Sequence, residues 1–129
     1  MVVHTLFNQN VDILLVPSMT MHPSGYNRVS LNARARAVEG LVGVAMVGGV
    51  GIPPRLEGKE TNFAGAAFYG PCEMDMQPDG IIAKTEAAYT RPADFAGDLL
   101  VADIPLATIR KKRLQGAEAW PGLIKSPAK

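Results

Sequence analysis

The order of apolar runs and helix signals predicts a mixed α and β layered domain in which helices pack against a sheet of five strands. Three observations carry that expectation. Residues 11–16 and 41–47 are two nearly continuous apolar runs rich in branched side chains, the pattern of strands buried on both faces. Between them, residues 27–39 contain neither Pro nor Gly and are rich in Ala and Arg, so that strand, helix and strand follow in succession. A chain of 129 residues with 47% hydrophobic and 19% charged content is one ordinary folded domain.

Taken in order, residues 2–10 read as the end of a helix, with Val3, Leu6 and Phe7 at spacings of three and four and Asn8 and Asn10 in the stop. The first strand, residues 11–16, is closed by Pro17 and Ser18. Residues 19–26 hold Pro23, Ser24 and Gly25 and read as a loop. In the helix of residues 27–39, Arg28, Asn32, Arg36 and Glu39 fall on a polar stripe, beside a stripe of small apolar residues formed by Val29, Ala33 and Ala37. Small residues let another element approach closely, and Gly40 is the natural residue to end the helix in a left-handed conformation.

After the second strand, residues 48–54 open a long loop reaching Thr61. Residues 63–69 form a third strand, and the segment Pro78, Asp79, Gly80 is a turn, because Pro presets its φ and Gly accepts a positive one. Residues 81–85 and 99–104 make two further strands around a loop at 87–97. Residues 106–114 form a short amphipathic helix, which gives a domain over residues 1–115 and a C-terminal tail over 116–129. Helices on one face of such a sheet leave the other apolar face bare, so the pattern predicts a second layer from elsewhere and self-association of the chain alone.

Composition excludes several functions. The formal charge is +1 and no block of five or six like charges occurs, so there is no electrostatic footprint for nucleic acid. The run Arg110, Lys111, Lys112, Arg113 reads as a solvated helix end. No apolar stretch approaches the roughly 20 residues that span a bilayer, and no leader pattern opens the chain, so a cytoplasmic protein without membrane partners is expected. One cysteine, Cys72, excludes an internal disulfide, and His4 and His22 cannot hold zinc unaided.

Each candidate for chemistry has a plain structural reading. Cys72 sits between Pro71 and Glu73, and a neighbouring carboxylate raises a thiol's pKa. Gly48, Gly49 and Gly51 lack the helix start that a phosphate cradle needs, because Pro53 and Pro54 follow. Ser18, Thr20 and Ser24 lie near His22 without a nucleophile elbow. Glu73, Asp75 and Asp79 are too sparse for a calcium loop and read as a solvated acidic segment. Arg36 and Glu39 read as a surface pair one turn apart.

The stretch VDILLVPSMT at residues 11–20, followed by GYNRV at 25–29 and ARARAVE at 33–39, resembles the nitrilase superfamily of carbon-nitrogen hydrolases. PDGIIA at 78–83 and LVADIPL at 100–106 extend the likeness more weakly. The resemblance implies the C-terminal half of a four-layer α-β-β-α sandwich, homo-oligomeric or bound to a partner chain, whose completed form hydrolyses a small amide or nitrile without cofactor or metal. It also implies a cysteine nucleophile, a glutamate base and a lysine that would all precede Met1, leaving no catalytic residue among those present. By the same resemblance Pro17, Ser18, Met19 and Thr20 form a loop bordering the substrate pocket, and Arg28, Arg36 and Glu39 buttress that loop or an interface. Gly40 and Leu41 replace the family's Asn-Gln after the helix glutamate, and Gly48 replaces a position that is usually polar.

Overall fold

A computed structural model describes residues 9–51, 61–89 and 97–118. The elements are β1 (Ile13–Met19), α1 (Pro23–Gly40), β2 (Gly43–Gly49), β3 (Phe63–Ala64), β4 (Ala66–Tyr69), β5 (Ile81–Lys84), β6 (Ala88–Tyr89) and α2 (Leu106–Gln115). The main sheet has four strands in the order β1-β2-β4-β5, and β3 pairs with β6 in a separate ribbon. β1 and β2 are parallel, from Ile13 opposite Gly43 to Met19 opposite Gly49, and α1 is the crossover such a pair requires. The other pairings are antiparallel. The mixed α/β layering expected from the sequence is present. The expected helix at 2–10 lies outside the described residues apart from a turn at Gln9 and Asn10, as does most of the tail.

α1 starts four residues earlier than its Pro- and Gly-free run. Pro23 occupies the first turn, where its missing N–H costs nothing and its fixed φ suits the helix. The left-handed residue that caps the helix is Leu41, not Gly40: Leu41 holds φ 44° while its amide reaches Ala37 O and Val38 O. A left-handed non-glycine costs roughly 1–2 kcal/mol, whereas burying a leucine returns about 1.5–3 kcal/mol, and Leu41 is buried. Gly40 stays helical, and Val42 Cγ2 lies 3.2 Å from where a Cβ would stand, so a side chain there would press on Val42.

The core lies between α1 and the sheet. Ala33 and Ala37 meet Val44, Met46, Ala67 and Tyr69, with Leu14, Val16 and Val29 packed around them. The small-residue stripe of the helix therefore does what the sequence predicted. Ser30 and Tyr69 share a hydrogen bond of 2.7 Å across this layer, so the phenol is buried without losing its partner.

Among the described residues, the opposite sheet face is largely bare. Leu15 and Met19 point there from β1 and Val47 from β2, at 71%, 67% and 56% exposure. The fifth strand expected at 99–104 is absent from both sheets: this stretch alternates exposed and half-buried residues as a strand would, but no ladder partner stands beside it among the described residues. Its end is anchored where Ile104 Cγ2 comes within 3.2 Å of the Cβ place of Gly43. The third predicted strand is cut at Gly65, where the chain passes between the two sheets. A Cβ there would lie 3.2 Å from both Ala87 Cα and Thr85 Oγ1, so only glycine passes without displacing its neighbours. β6, inside a predicted loop, pairs with β3, and Tyr89 packs at a tilt against its partner Phe63 at 4.8 Å between ring centroids.

Candidate functional site

In open α/β sheets ligands gather at the carboxyl ends of parallel strands, where loops diverge and helices begin. β1 and β2 end at Met19 and Gly49 on the side where α1 starts, and the expected pocket residues Pro17, Ser18, Met19 and Thr20 stand there. They are not a loop, however. Pro17, Ser18 and Met19 continue β1, and only Thr20 follows it. A strand tolerates Pro17 because β1 is the edge of the sheet among the described residues, where one side of the backbone has no ladder to serve.

Alternation divides the four residues. Pro17 and Met19 are exposed, whereas Ser18 and Thr20 are half-buried. The Thr20 hydroxyl donates to Phe63 O at 2.7 Å, and Phe63 N donates back to Thr20 O at 2.7 Å, a reciprocal tie between strand end and ribbon. Ser18 donates at 3.4 Å to Val47 O. Hydroxyls committed to carbonyls are struts, and neither meets a base that would make it a nucleophile. Pro17 and Met19 are the two whose side chains are open to solvent. Tyr26 packs edge-on to Phe63 at 5.7 Å, and its phenol is pushed up by burial, with Tyr69 adding to the rise and Ser30 opposing it.

The glycines after β2 have steric reasons. A Cβ on Gly48 would stand 2.2 Å from Ala64 Cβ, and the Gly48 amide donates to Gly65 O at 3.2 Å. The sequence departure there reflects the close passage of β3. Gly51 holds φ 82°, a conformation suited to glycine.

Arg28, Arg36 and Glu39 stand along α1, Arg28 and Glu39 exposed and Arg36 half-buried. Arg28, Asn32 and Arg36 rim an open groove of about 330 Å³ floored by Val16, Val29 and Ala33. Asn32 donates to Arg28 O at 2.7 Å, and Arg36 pairs with Glu39 at 2.5 Å. This pair is the exposed i,i+3 bridge the sequence suggested, worth a few tenths of a kcal/mol.

A charged cluster escaped the sequence reading. The basic run on α2 is not a solvated end. Arg110 forks onto Asp12, Lys112 holds Glu73 at 3.0 Å and Asp75 at 2.7 Å, and the buried Arg113 gives two hydrogen bonds to Leu41 O at 3.1 and 3.3 Å. Glu73, read as part of a solvated acidic loop, is instead buried and also accepts from Glu118 N at 3.2 Å. The hydrogen bond from Arg110 holds the Asp12 carboxyl below the usual carboxylate range, and that from Lys112 does so for Asp75. Lys112 is raised in return, by Asp75 and then Glu73. The signal in the sequence was numerical: four cations stand on one short helix, and three of them, Arg110, Lys112 and Arg113, reach the carboxylates of Asp12, Glu73 and Asp75.

Cys72, Glu73 and Lys112 thus lie near one another, and they are residue types of carbon-nitrogen hydrolysis. Their geometry is structural. The Glu73 carboxylate is taken by Lys112 and a backbone amide, while Cys72 is exposed. A general base must reach the proton it abstracts, and Glu73 is spent on a strut. Among the described residues no cluster of His, Cys, Asp and Glu could hold a metal ion, and no helix is long and apolar enough to cross a membrane.

The chain is 26% identical over 109 residues to the probable hydrolase YhcX of Bacillus subtilis (strain 168), a span of 84% of this chain and 20% of that protein. This chain resembles part of a hydrolase. It spans about a fifth of the length of the curated relative it matches. No family model and no solved structure matches it.

Proposed function

We propose that this chain is one half of a carbon-nitrogen hydrolase of the nitrilase type, supplying a sheet-and-helix half of an α-β-β-α sandwich and the Pro17–Thr20 strand end to the rim of an amide or nitrile pocket. The observation that carries the reading is the one-sided sheet. α1 covers one face, and the other presents Leu15, Met19 and Val47 to solvent, as half of a sandwich would. The signature at residues 11–39 and the similarity to a probable hydrolase support the same reading. In such an enzyme the attacking thiolate, its carboxylate base and the ammonium that stabilises the oxyanion come from residues other than those described, and no cofactor is needed. This half contributes shape: Met19 and Pro17 at the rim, Thr20 and Phe63 as the tie that fixes it.

The test is the intact mass of the protein from its native source, paired with the 5′ end of its transcript. A species well above 13.7 kDa with Glu, Lys and Cys encoded upstream supports the hydrolase. A native mass near 13.7 kDa overturns it in favour of a second reading, a non-catalytic interaction domain derived from the same fold. One observation favours that alternative: the Cys, Glu and Lys within reach of one another here are engaged in holding α2 or left exposed, not arranged around a substrate.

A further inference from the structure

We infer that residues 98–104 are a strand of the second sheet, laid across the first, and that an extended segment of the other half of the sandwich pairs with its backbone. The inference rests on the hydrolase reading above, and it names the place where the two halves join.

Both edges of β2 are taken, by β1 on one side and β4 on the other. Residues 98–104 run along β2 all the same. Ile104 Cγ2 stands 3.2 Å from the Cβ place of Gly43, and Asp98 shares the wall of a pocket with Val47 and Gly48 toward the other end of the strand. Six steps of extended chain cover about 20 Å, as do the six from Gly43 to Gly49, so the segment follows β2 in the opposite sense. Val44 and Met46 face α1, so Gly43 and Val47, one residue out of phase with them, face away from it. A segment that tracks a strand with no free edge, and touches it through outward side-chain positions, lies in a different layer.

Its side chains alternate as a strand's do. Leu100, Ala102 and Ile104 are half-buried, whereas Leu99, Val101 and Asp103 are exposed, the first two at 88% and 78%. The side of Ile104 faces β2 and the other side turns away from it. What is missing is the ladder. Residues 98–103 make no backbone hydrogen bond with any described residue, while the carbonyls of Ile104 and Pro105 are already taken by Leu106 N and Ile109 N. An alternating apolar segment with two open rows of N–H and C=O groups is a template for strand addition. Charge selects the occupant. The ionisable residues of the segment are Asp98 and Asp103, and neither meets a cation among the described residues. A second copy laid along it in full register sets carboxylate against carboxylate, which disfavours self-pairing. A strand of the other half with Lys or Arg across from these positions is favoured. It brings over Leu99 and Val101 the helix layer that a sandwich of this kind places outside its second sheet.

The test is amide hydrogen exchange, read by mass spectrometry, on the 129-residue chain and on the polypeptide purified from its native source. In the 129-residue chain, residues 99–103 are expected to exchange within about tenfold of the unstructured rate while β2 is protected. In a native polypeptide heavier than 13.7 kDa the same residues are expected to slow by about a hundredfold. Protection already present in the 129-residue chain overturns the proposal, because the strand's partner then lies within that chain. A heavier native polypeptide, with Glu, Lys and Cys encoded upstream, in which residues 99–103 stay fast overturns it too, and the hydrolase reading survives that result. A native mass near 13.7 kDa overturns both. Should the 129-residue chain not hold a fold by itself, two variants of the native polypeptide keep the question decidable. Val101→Pro and Ala102→Pro delete backbone donors on opposite edges of the strand. At least one is expected to speed exchange over residues 99–103 by about tenfold with β2 unchanged, and no change in either overturns the proposal.

Discussion

At single positions, steric room and carbonyl satisfaction explain what the sequence left ambiguous. Gly48 reads in the sequence as a lost polar residue, yet its place is dictated by Ala64, whose Cβ would lie 2.2 Å from a new methyl group. Gly48→Ala is expected to cost about 1–3 kcal/mol in urea unfolding, the usual penalty of overpacking, and Ala64→Gly in the same chain should recover much of it. A purely conformational role for the glycine predicts no recovery from the second change. Arg113 offers a second case. Its guanidinium is buried and serves the Leu41 carbonyl, which the left-handed end of α1 leaves without a helical partner. Arg113→Met keeps much of the volume and removes the donors, so a loss of about 1–3 kcal/mol is expected, the cost of an unsatisfied buried acceptor. A neutral effect in the same measurement would show that water replaces the donor.

Among elements, α2 is the one whose attachment depends on charge. Ile109 is its only fully buried apolar side chain; beside it stand the buried Arg113 on the Leu41 carbonyl, Asp12 on Arg110, and Glu73 with Asp75 on Lys112. Asp12 and Asp75 titrate lower in the folded chain than unfolded, so between the two values the unfolded chain binds more protons and stability rises with pH. Their contribution is complete above the unfolded value of about 3.9 and is lost as pH falls through the lowered folded values. Lys112 shifts the other way, so its contribution is complete below about 10.4 and lost as pH rises through its raised value. Hydrogen exchange corrected for intrinsic rates should therefore show α2 amides protected across the neutral range and released before those of β2 at the acid end; joint release would mean that the apolar contact of Ile109 dominates. The same element marks where sequence legibility stops. β1, α1 and β2 follow from local patterns, because periodicity and the Pro and Gly positions are written in the segment itself. Asp12 is 98 positions from Arg110, and Glu73 is 39 from Lys112, so nothing local announces either pair. The fifth strand failed for a related reason: alternation in residues 99–104 specifies a strand's faces, but a strand also needs a neighbour with free backbone groups.

For the molecule as a whole, local pattern located the end of β1 but not how its side chains divide between the two faces. The sequence reads Pro17 to Thr20 as a loop after the strand, whereas the fold keeps Pro17 to Met19 within β1, and the alternation of the strand with the tie between Thr20 and Phe63 leaves Pro17 and Met19 facing outward. Side chains that shape a rim do not break bonds. Amide or nitrile hydrolysis requires a thiolate or an activated water, a base in hydrogen-bond reach and donors aimed at the developing oxyanion, and each is worth orders of magnitude in rate. Among the described residues, the thiol of Cys72 is exposed beside a carboxylate already held by Lys112, and the hydroxyls of Ser18 and Thr20 donate to carbonyls. The 129-residue chain is accordingly expected to release ammonia from small amides and nitriles at the buffer rate, with no change on Cys72→Ala. Turnover abolished by Cys72→Ala would make the loop between β4 and β5 the nucleophile's seat and require Lys112 to release Glu73 when substrate binds. Turnover that survives the substitution would remove thiol chemistry from the chain and turn attention to water activated at the strand end, because the chain has no other cysteine.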